Sequence, residues 1–352
     1  IMSSDWSSDV CSSDLLAATI DRTPPGPPRV PQVRTHWWGE GLTEQHGGAL
    51  DAFERYPEDA VCVMTKAFDP LEMDLPWLGD GPAAGAGHDA GSGALPSWDR
   101  LDAFLDRLGD PNDPADRRLD PLAARAAEAR AAGRYVIFGW WTLFFEAPWM
   151  LRGMANLMID YYENPRHVHR LHEGLCNLYE GWIRRAAREV RPDGFWCSDD
   201  LGNQRQLMMK PDHFRQFQMP YYRRIGRTCR ELGLHWWLHS CGNNTEILGD
   251  LIEAGVNVFH PVQKHTMDGA AVAAAFGDRL TFLAGFDVQQ TLPRGTPDVV
   301  RREVRAMIDT FDRPDGGLIL AAGNGIVAGT PLANIEAFLD EATRYGTAHR
   351  AR

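Results

Sequence analysis

The sequence predicts an α/β protein, a single-domain (β/α)8 TIM barrel with an N-terminal extension. Three observations carry this reading. Eight short apolar runs of strand type recur along the chain, each followed by a helical pattern. The runs are continuous rather than alternating, as in parallel strands covered on both faces. At 352 residues the chain is long for one ordinary domain but fits one barrel. A doubly wound open sheet is the alternative, and it lacks here the glycine fingerprint such sheets use for dinucleotides.

Residues 1–15 stand apart. The stretch from Asp5 to Leu15 back-translates into a common sequencing-adapter read, so this segment is expected to be an assembly artefact; a genuine Ser/Asp-rich tail is the alternative. Residues 16–32 carry Pro24, Pro25, Pro27, Pro28 and Pro31, which predicts an extended lead-in without helix. The barrel is expected over 33–346, with 347–352 a tail. Residues 33–39 predict the first strand, ending at Gly39, and 42–56 its helix. Ala60–Met64 reads as the second strand. The Gly/Pro-rich run 79–97 reads as a surface loop, either plain or a lid. Helical patterns follow at 99–108 and 120–132, the latter rich in Ala, Arg and Glu.

The third strand is expected at 135–139. Helices follow at 155–162 and 168–190, with Asn164-Pro165 as a start signal between them. The fourth strand is 195–197. One long helix is expected over 211–232, stopped by Gly233. The fifth strand leads into His239, and a helix over 246–254 stops at Gly255. The sixth strand is 256–259, followed by a helix at 270–276. The seventh is 280–284, followed by a helix at 297–311 with Thr296 as N-cap. The eighth is 317–321. The last helix, 331–345, opens on Pro331 after Thr330.

Composition excludes some partners. A net charge of -12 argues against nucleic acid and anionic membranes, which need basic patches. No apolar run approaches the roughly 18 residues that span a bilayer. The six cysteines lie scattered without a spaced framework, which predicts reduced thiols and a cytoplasmic protein.

In barrels of this kind chemistry sits at the C-terminal ends of the strands. The polar residues fall there: His36, Trp140, Trp141, Glu146, Asp199, Asp200, Asn203, Gln204, His239, Cys241, Asn243, His260, Gln263, Asp287, Gln289 and Asn324. His239 and Cys241 are two residues apart, so one imidazole and one sulfur share a face, half of a zinc site. Asp199 and Asp200 read either as helix caps or as ligand and substrate contacts. Glu146 lies in an apolar run, and a buried carboxylate needs a partner. His260 before Pro261 reads as a structural histidine or a ligand. Trp37, Trp38, Trp140, Trp141, Trp236 and Trp237 read as packing or as an aromatic wall for a flat ligand.

Several motifs together resemble the uroporphyrinogen decarboxylase superfamily. They are Asp199-Asp-Leu-Gly-Asn-Gln204, His239-Ser-Cys-Gly-Asn243, Asp250-Leu-Ile-Glu-Ala-Gly-Val256, Pro261-Val-Gln263, Phe276-Gly-Asp-Arg-Leu280 and Thr330-Pro-Leu-Ala-Asn-Ile335. The resemblance covers roughly residues 30–346 and implies the same barrel. It also implies one of two activities, tetrapyrrole decarboxylation or zinc-dependent methyl transfer between corrinoid proteins and thiols. The decarboxylases carry an arginine-rich segment near the N-terminus; Arg34-Thr-His-Trp-Trp-Gly39 stands there instead. The methyltransferases hold zinc by a His-x-Cys pair and a second cysteine in the last loop. His239 and Cys241 match the pair, and Asn324 stands where the second cysteine falls.

The resemblance therefore implies a metal-dependent methyltransferase moving methyl groups between a small methylated donor or thiol and a corrinoid protein. His239 and Cys241 would hold zinc, with Glu146, Asp199 or His260 as third ligand. Another metal, or a repurposed site without one, stays open. Asp199, Asp200 and Glu146 are the expected catalytic groups. Trp37, Trp38, Gln204, Asn243, Gln263, Asp287 and Asn324 are the expected substrate contacts. The second expectation is uroporphyrinogen decarboxylase, with Asp199 or Asp200 stabilising a protonated pyrrole. The third, of another class, is a non-catalytic barrel that binds a small ligand.

Overall fold

The computed structural model describes residues 11–23, 27–68, 73 and 93–351. The expected loop over 79–97 and the expected artefact over 1–15 fall largely outside the described residues. Among the described residues, seven parallel strands follow sequence order around the barrel: β1 (Ala60–Met64), β2 (Tyr135–Trp140), β3 (Gly194–Ser198), β4 (His235–His239), β5 (Val258–His260), β6 (Thr281–Phe286) and β7 (Leu318–Ala322). Every residue of β2, β3, β6 and β7 is buried, which is why these strands read as unbroken apolar runs.

The strand expected over 33–39 does not form. Residues 31–33 close the barrel instead, between β7 and β1. Leu320 N–H donates to Pro31 O, Val33 N–H to Leu320 O, and Asp59 N–H to Gln32 O. Pro31 has no N–H to extend a ladder. Beyond it, the Glu58 carboxylate accepts from the N–H groups of Arg34 and Thr35, and Thr35–Trp37 tightens into a 3-10 turn. This turn swings Trp37 into the barrel and Trp38 out of it.

Two helical expectations also change. Ser12–Asp21 is a helix, although 16–32 was expected without one; its Leu15, Leu16 and Ile20 are buried, and the prolines begin only beyond it. The helix expected over 211–232 is broken into Pro211–His213, a π turn at Phe214–Gln218 and Met219–Glu231. Pro220 lacks the N–H that an uninterrupted α ladder needs. The buried His172, on the facing helix Pro165–Glu189, meets the freed backbone, with Nδ1 2.7 Å from Phe217 O.

Burial pushes the His172 imidazole down from 6.5 to about 4. The fold thus favours neutral His172. Its contribution is complete above the unfolded value near 6.5 and is lost as pH falls toward 4. That loss amounts to about 3 kcal/mol. Urea unfolding at pH 7 and pH 4 should show wild type losing about that much more than His172→Gln, which does not titrate in this window. Equal losses in both proteins would remove the assignment.

Candidate metal centre

Strand register builds the site. Ser198 of β3 pairs with His239 of β4, and His239 pairs with His260 of β5, all at the C-terminal edge. In-register neighbours point to the same side of a sheet, here the barrel interior. His239 Nδ1 lies 2.7 Å from His260 Nδ1, and His260 Nε2 lies 2.9 Å from Ala322 O. Trp37 stacks on His260 at 4.2 Å.

Among the described residues, Asp200, His239 and Cys241 bring three ligand atoms within 4.8 Å of one another. His239 Nε2 is 3.4 Å from Cys241 Sγ and 3.6 Å from Asp200 Oδ1. The Cys241 N–H donates to Asp200 Oδ1 at 2.7 Å, which ties the two loops together. Among the described residues, Asp200, and not Glu146, Asp199 or His260, is the group whose ligand atom lies that close to the His239–Cys241 pair. Successive side chains leave an extended chain on opposite sides, so the adjacent aspartates separate. His260 sits behind His239, with both ring nitrogens engaged.

Asp199 turns away into the wall. It is fully buried and accepts from the N–H groups of Phe144, Phe145 and Glu146 and from the Tyr222 hydroxyl. Burial pushes its carboxyl up to about 7, against the pull of those donors. It holds the turn that carries Glu146. Glu146 accepts from Ser198 Oγ at 2.7 Å. Burial, then the negative charges of Asp200 and Asp199, push the Glu146 carboxyl well up. Ser198 was not anticipated as a site residue; it ends the buried run of β3 beside Asp199-Asp200, and nothing in the sequence pairs its hydroxyl with Glu146, fifty-two positions away.

Burial, then Asp200 and Glu146, push the Cys241 thiol up to about 12. Alone it is a neutral thiol and a poor nucleophile. Burial lowers the His239 imidazole, against Asp200, and keeps it neutral. One neutral imidazole, one thiol and one carboxylate form a donor set that zinc accepts. Three protein donors are the number in zinc sites that act on a substrate, whereas structural sites have four.

The cavity beside Cys241 is lined by Gln204, Gln263, Lys264, Asp287, Gln289 and Asn324, among others. Gln204 Oε1 accepts from the Thr266 hydroxyl and Gln263 Oε1 from the Gly242 N–H. Asn324 Nδ2 donates to Cys241 Sγ at 3.6 Å, so it is a partner of the sulfur and not a ligand. Lys264 is neutralised by Glu303 at 2.6 Å. Asp287 is occupied as a cap, accepting from the N–H groups of Gln289, Gln290 and Thr291. Asn243 is spent on loop contacts, accepting from the Thr245 N–H and donating to Arg205 O in the loop after β3. Trp38 packs outside the barrel against Phe53, with the Arg34 guanidinium 5.9 Å from its ring. Trp37 is buried beneath His239. Of the six tryptophans weighed as an aromatic wall, Trp141 is the one left exposed, at 45%; it stacks on His36 at 5.5 Å and meets His239 edge-on at 5.8 Å.

Curated relatives match over part of their length. The methylated-thiol–coenzyme M methyltransferase of Methanosarcina mazei is 26% identical over 132 residues, 38% of this chain and 33% of that protein. The methylcobamide:CoM methyltransferase MtaA of Methanosarcina barkeri is 29% identical over 139 residues, 39% of this chain and 38% of that protein. The chain thus spans little more than a third of the curated relatives it matches. A solved methyltransferase structure from Methanosarcina mazei superposes with a TM-score of 0.70 at 17% identity, covering 96% of this chain and 99% of that one, which establishes the shared fold. The family profile described as uroporphyrinogen decarboxylase (URO-D) matches residues 80–345. On that match, which takes in β2 to β7 and every donor of the centre, the chain belongs to the uroporphyrinogen decarboxylase family.

Proposed function

We propose that this protein is a metal-dependent methyltransferase, with zinc held by Asp200, His239 and Cys241. It would move a methyl group between a small methylated donor or thiol and a corrinoid carried by a partner protein. The observation that carries this reading is the convergence of Asp200 and His239 on the half-buried Cys241 thiol, with the three ligand atoms within 4.8 Å of one another. Zinc bound there supplies the positive charge that favours the anionic form of Cys241 and of a substrate thiol.

The chain's own residues divide the remaining work. His239 offers a neutral nitrogen. Asp200 fixes the Cys241 backbone while presenting its carboxylate. Glu146, with its raised pKa, is suited to hold or release the proton exchanged when the substrate thiol ionises. With the oxygens of Gln204 and Gln263 already engaged, their amide N–H groups are left to orient a substrate in the cavity. Trp141 offers an exposed apolar face close to His239. The acidic balance of -12 agrees with a small-molecule substrate rather than a nucleic acid. Among the described residues no helix is long and apolar enough to cross a membrane.

Metal analysis of the purified protein is expected to find about one zinc per chain, on the three-donor argument. Methyl transfer from a methylated corrinoid to small thiols should then follow zinc content. Wild-type protein without stoichiometric metal after zinc loading would sink this reading. Turnover of uroporphyrinogen would favour decarboxylation, for which the cavity's Lys264 offers little, paired as it is with Glu303.

A further inference from the structure

We propose that His260 is a positioning residue that sets the tautomer of His239 and so aims the His239 Nε2 lone pair at Asp200 and Cys241. The metal reading above supplies the ion; the tautomer stands on geometry alone.

Ala322 O can only accept, and it lies 2.9 Å from His260 Nε2. His260 Nε2 therefore carries a proton. His260 is fully buried, and the groups around it are Trp37, Trp196, His239 and that carbonyl. Among the described residues no carboxylate is bonded to it, so a cation there would be buried and unpaired, and the ring is neutral. A neutral imidazole has one N–H, which leaves His260 Nδ1 as an acceptor.

His239 Nδ1, 2.7 Å away, must then be the donor. Its own single proton sits on Nδ1, and its lone pair sits on Nε2. Nε2 is the nitrogen that faces Cys241 Sγ at 3.4 Å and Asp200 Oδ1 at 3.6 Å. Metal-binding histidines usually donate their second N–H to a carboxylate, a backbone carbonyl or a water. Here a second, neutral imidazole relays that role to a carbonyl of β7. The stacking of Trp37 on His260 at 4.2 Å holds the plane of the relay.

The test has two arms on the full chain. In metal-free wild type, nitrogen-15 NMR is expected to show His239 protonated at Nδ1 and His260 at Nε2. His260→Leu removes the acceptor; it is expected to shift His239 toward the Nε2–H tautomer and to weaken zinc binding by about 10–100-fold in competition with a chromophoric chelator. His260→Asn retains an acceptor oxygen near the Nδ1 position and should recover part of that loss. An Nε2–H tautomer of His239 in wild type overturns the proposal, as does unchanged zinc affinity in a folded His260→Leu. If wild type binds no zinc, the metal reading falls and the NMR arm still decides this one.

Discussion

Asp200→Asn is expected to weaken zinc binding by more than the roughly 10–100-fold typical of losing an outer-shell partner, with unfolding free energy changed by no more than about 1 kcal/mol. Asp199→Ala is expected to do the reverse. It would cost about 3 kcal/mol or more, because three buried N–H groups and the Tyr222 hydroxyl lose their acceptor. Its folded fraction should bind zinc much as wild type does. The Asn substitution at 200 keeps an oxygen for the Cys241 N–H, so a change in affinity reports the carboxylate rather than a displaced loop. Denaturant titration and chelator competition on both variants check the pair. Loss of zinc in a folded Asp199→Ala would return Asp199 to the ligand set.

This pair marks the boundary of what was legible in the chain. The parallel strands were readable because burial on both faces leaves an unbroken apolar run, as in Phe195-Trp-Cys197 or Leu280-Thr-Phe-Leu-Ala284. His239 and Cys241 were readable because a two-residue step keeps both on one side of an extended chain. The choice between Asp199 and Asp200 was not. Both carboxylates end the same strand, and only the backbone donors of residues 144–146, more than fifty positions away, show which one is spent inside. The same holds for Trp37 and Trp38. Both were expected as substrate contacts, and which of the two faces inward depends on the 3-10 turn beside Glu58. The first strand failed because the Glu58 carboxylate takes the N–H groups of Arg34 and Thr35 and Thr35–Trp37 turns, a contact across more than twenty positions that the apolar pattern does not show.

Asn324→Cys carries the largest expected change at the centre itself. In the methyltransferases that the sequence resembles, a second cysteine falls at this position. Here Asn324 Nδ2 already reaches within 3.6 Å of Cys241 Sγ, so a thiol on the same backbone lies close to the three donors. With Asp200 retained, the variant has four protein donors, the count of a structural zinc site. Zinc affinity should rise by about 10-fold or more, while methyl transfer should fall by about 100-fold as the substrate thiol loses its place. Adding Asp200→Asn to Asn324→Cys restores three donors of the His/Cys/Cys type, and activity is expected to return toward the wild-type level. The cycle asks whether Asp200 has taken over the duty of the missing cysteine. If the single variant stays fully active, or the double variant stays inactive while folded and zinc-bound, Asp200 is not a ligand, and its role reduces to holding the Cys241 backbone.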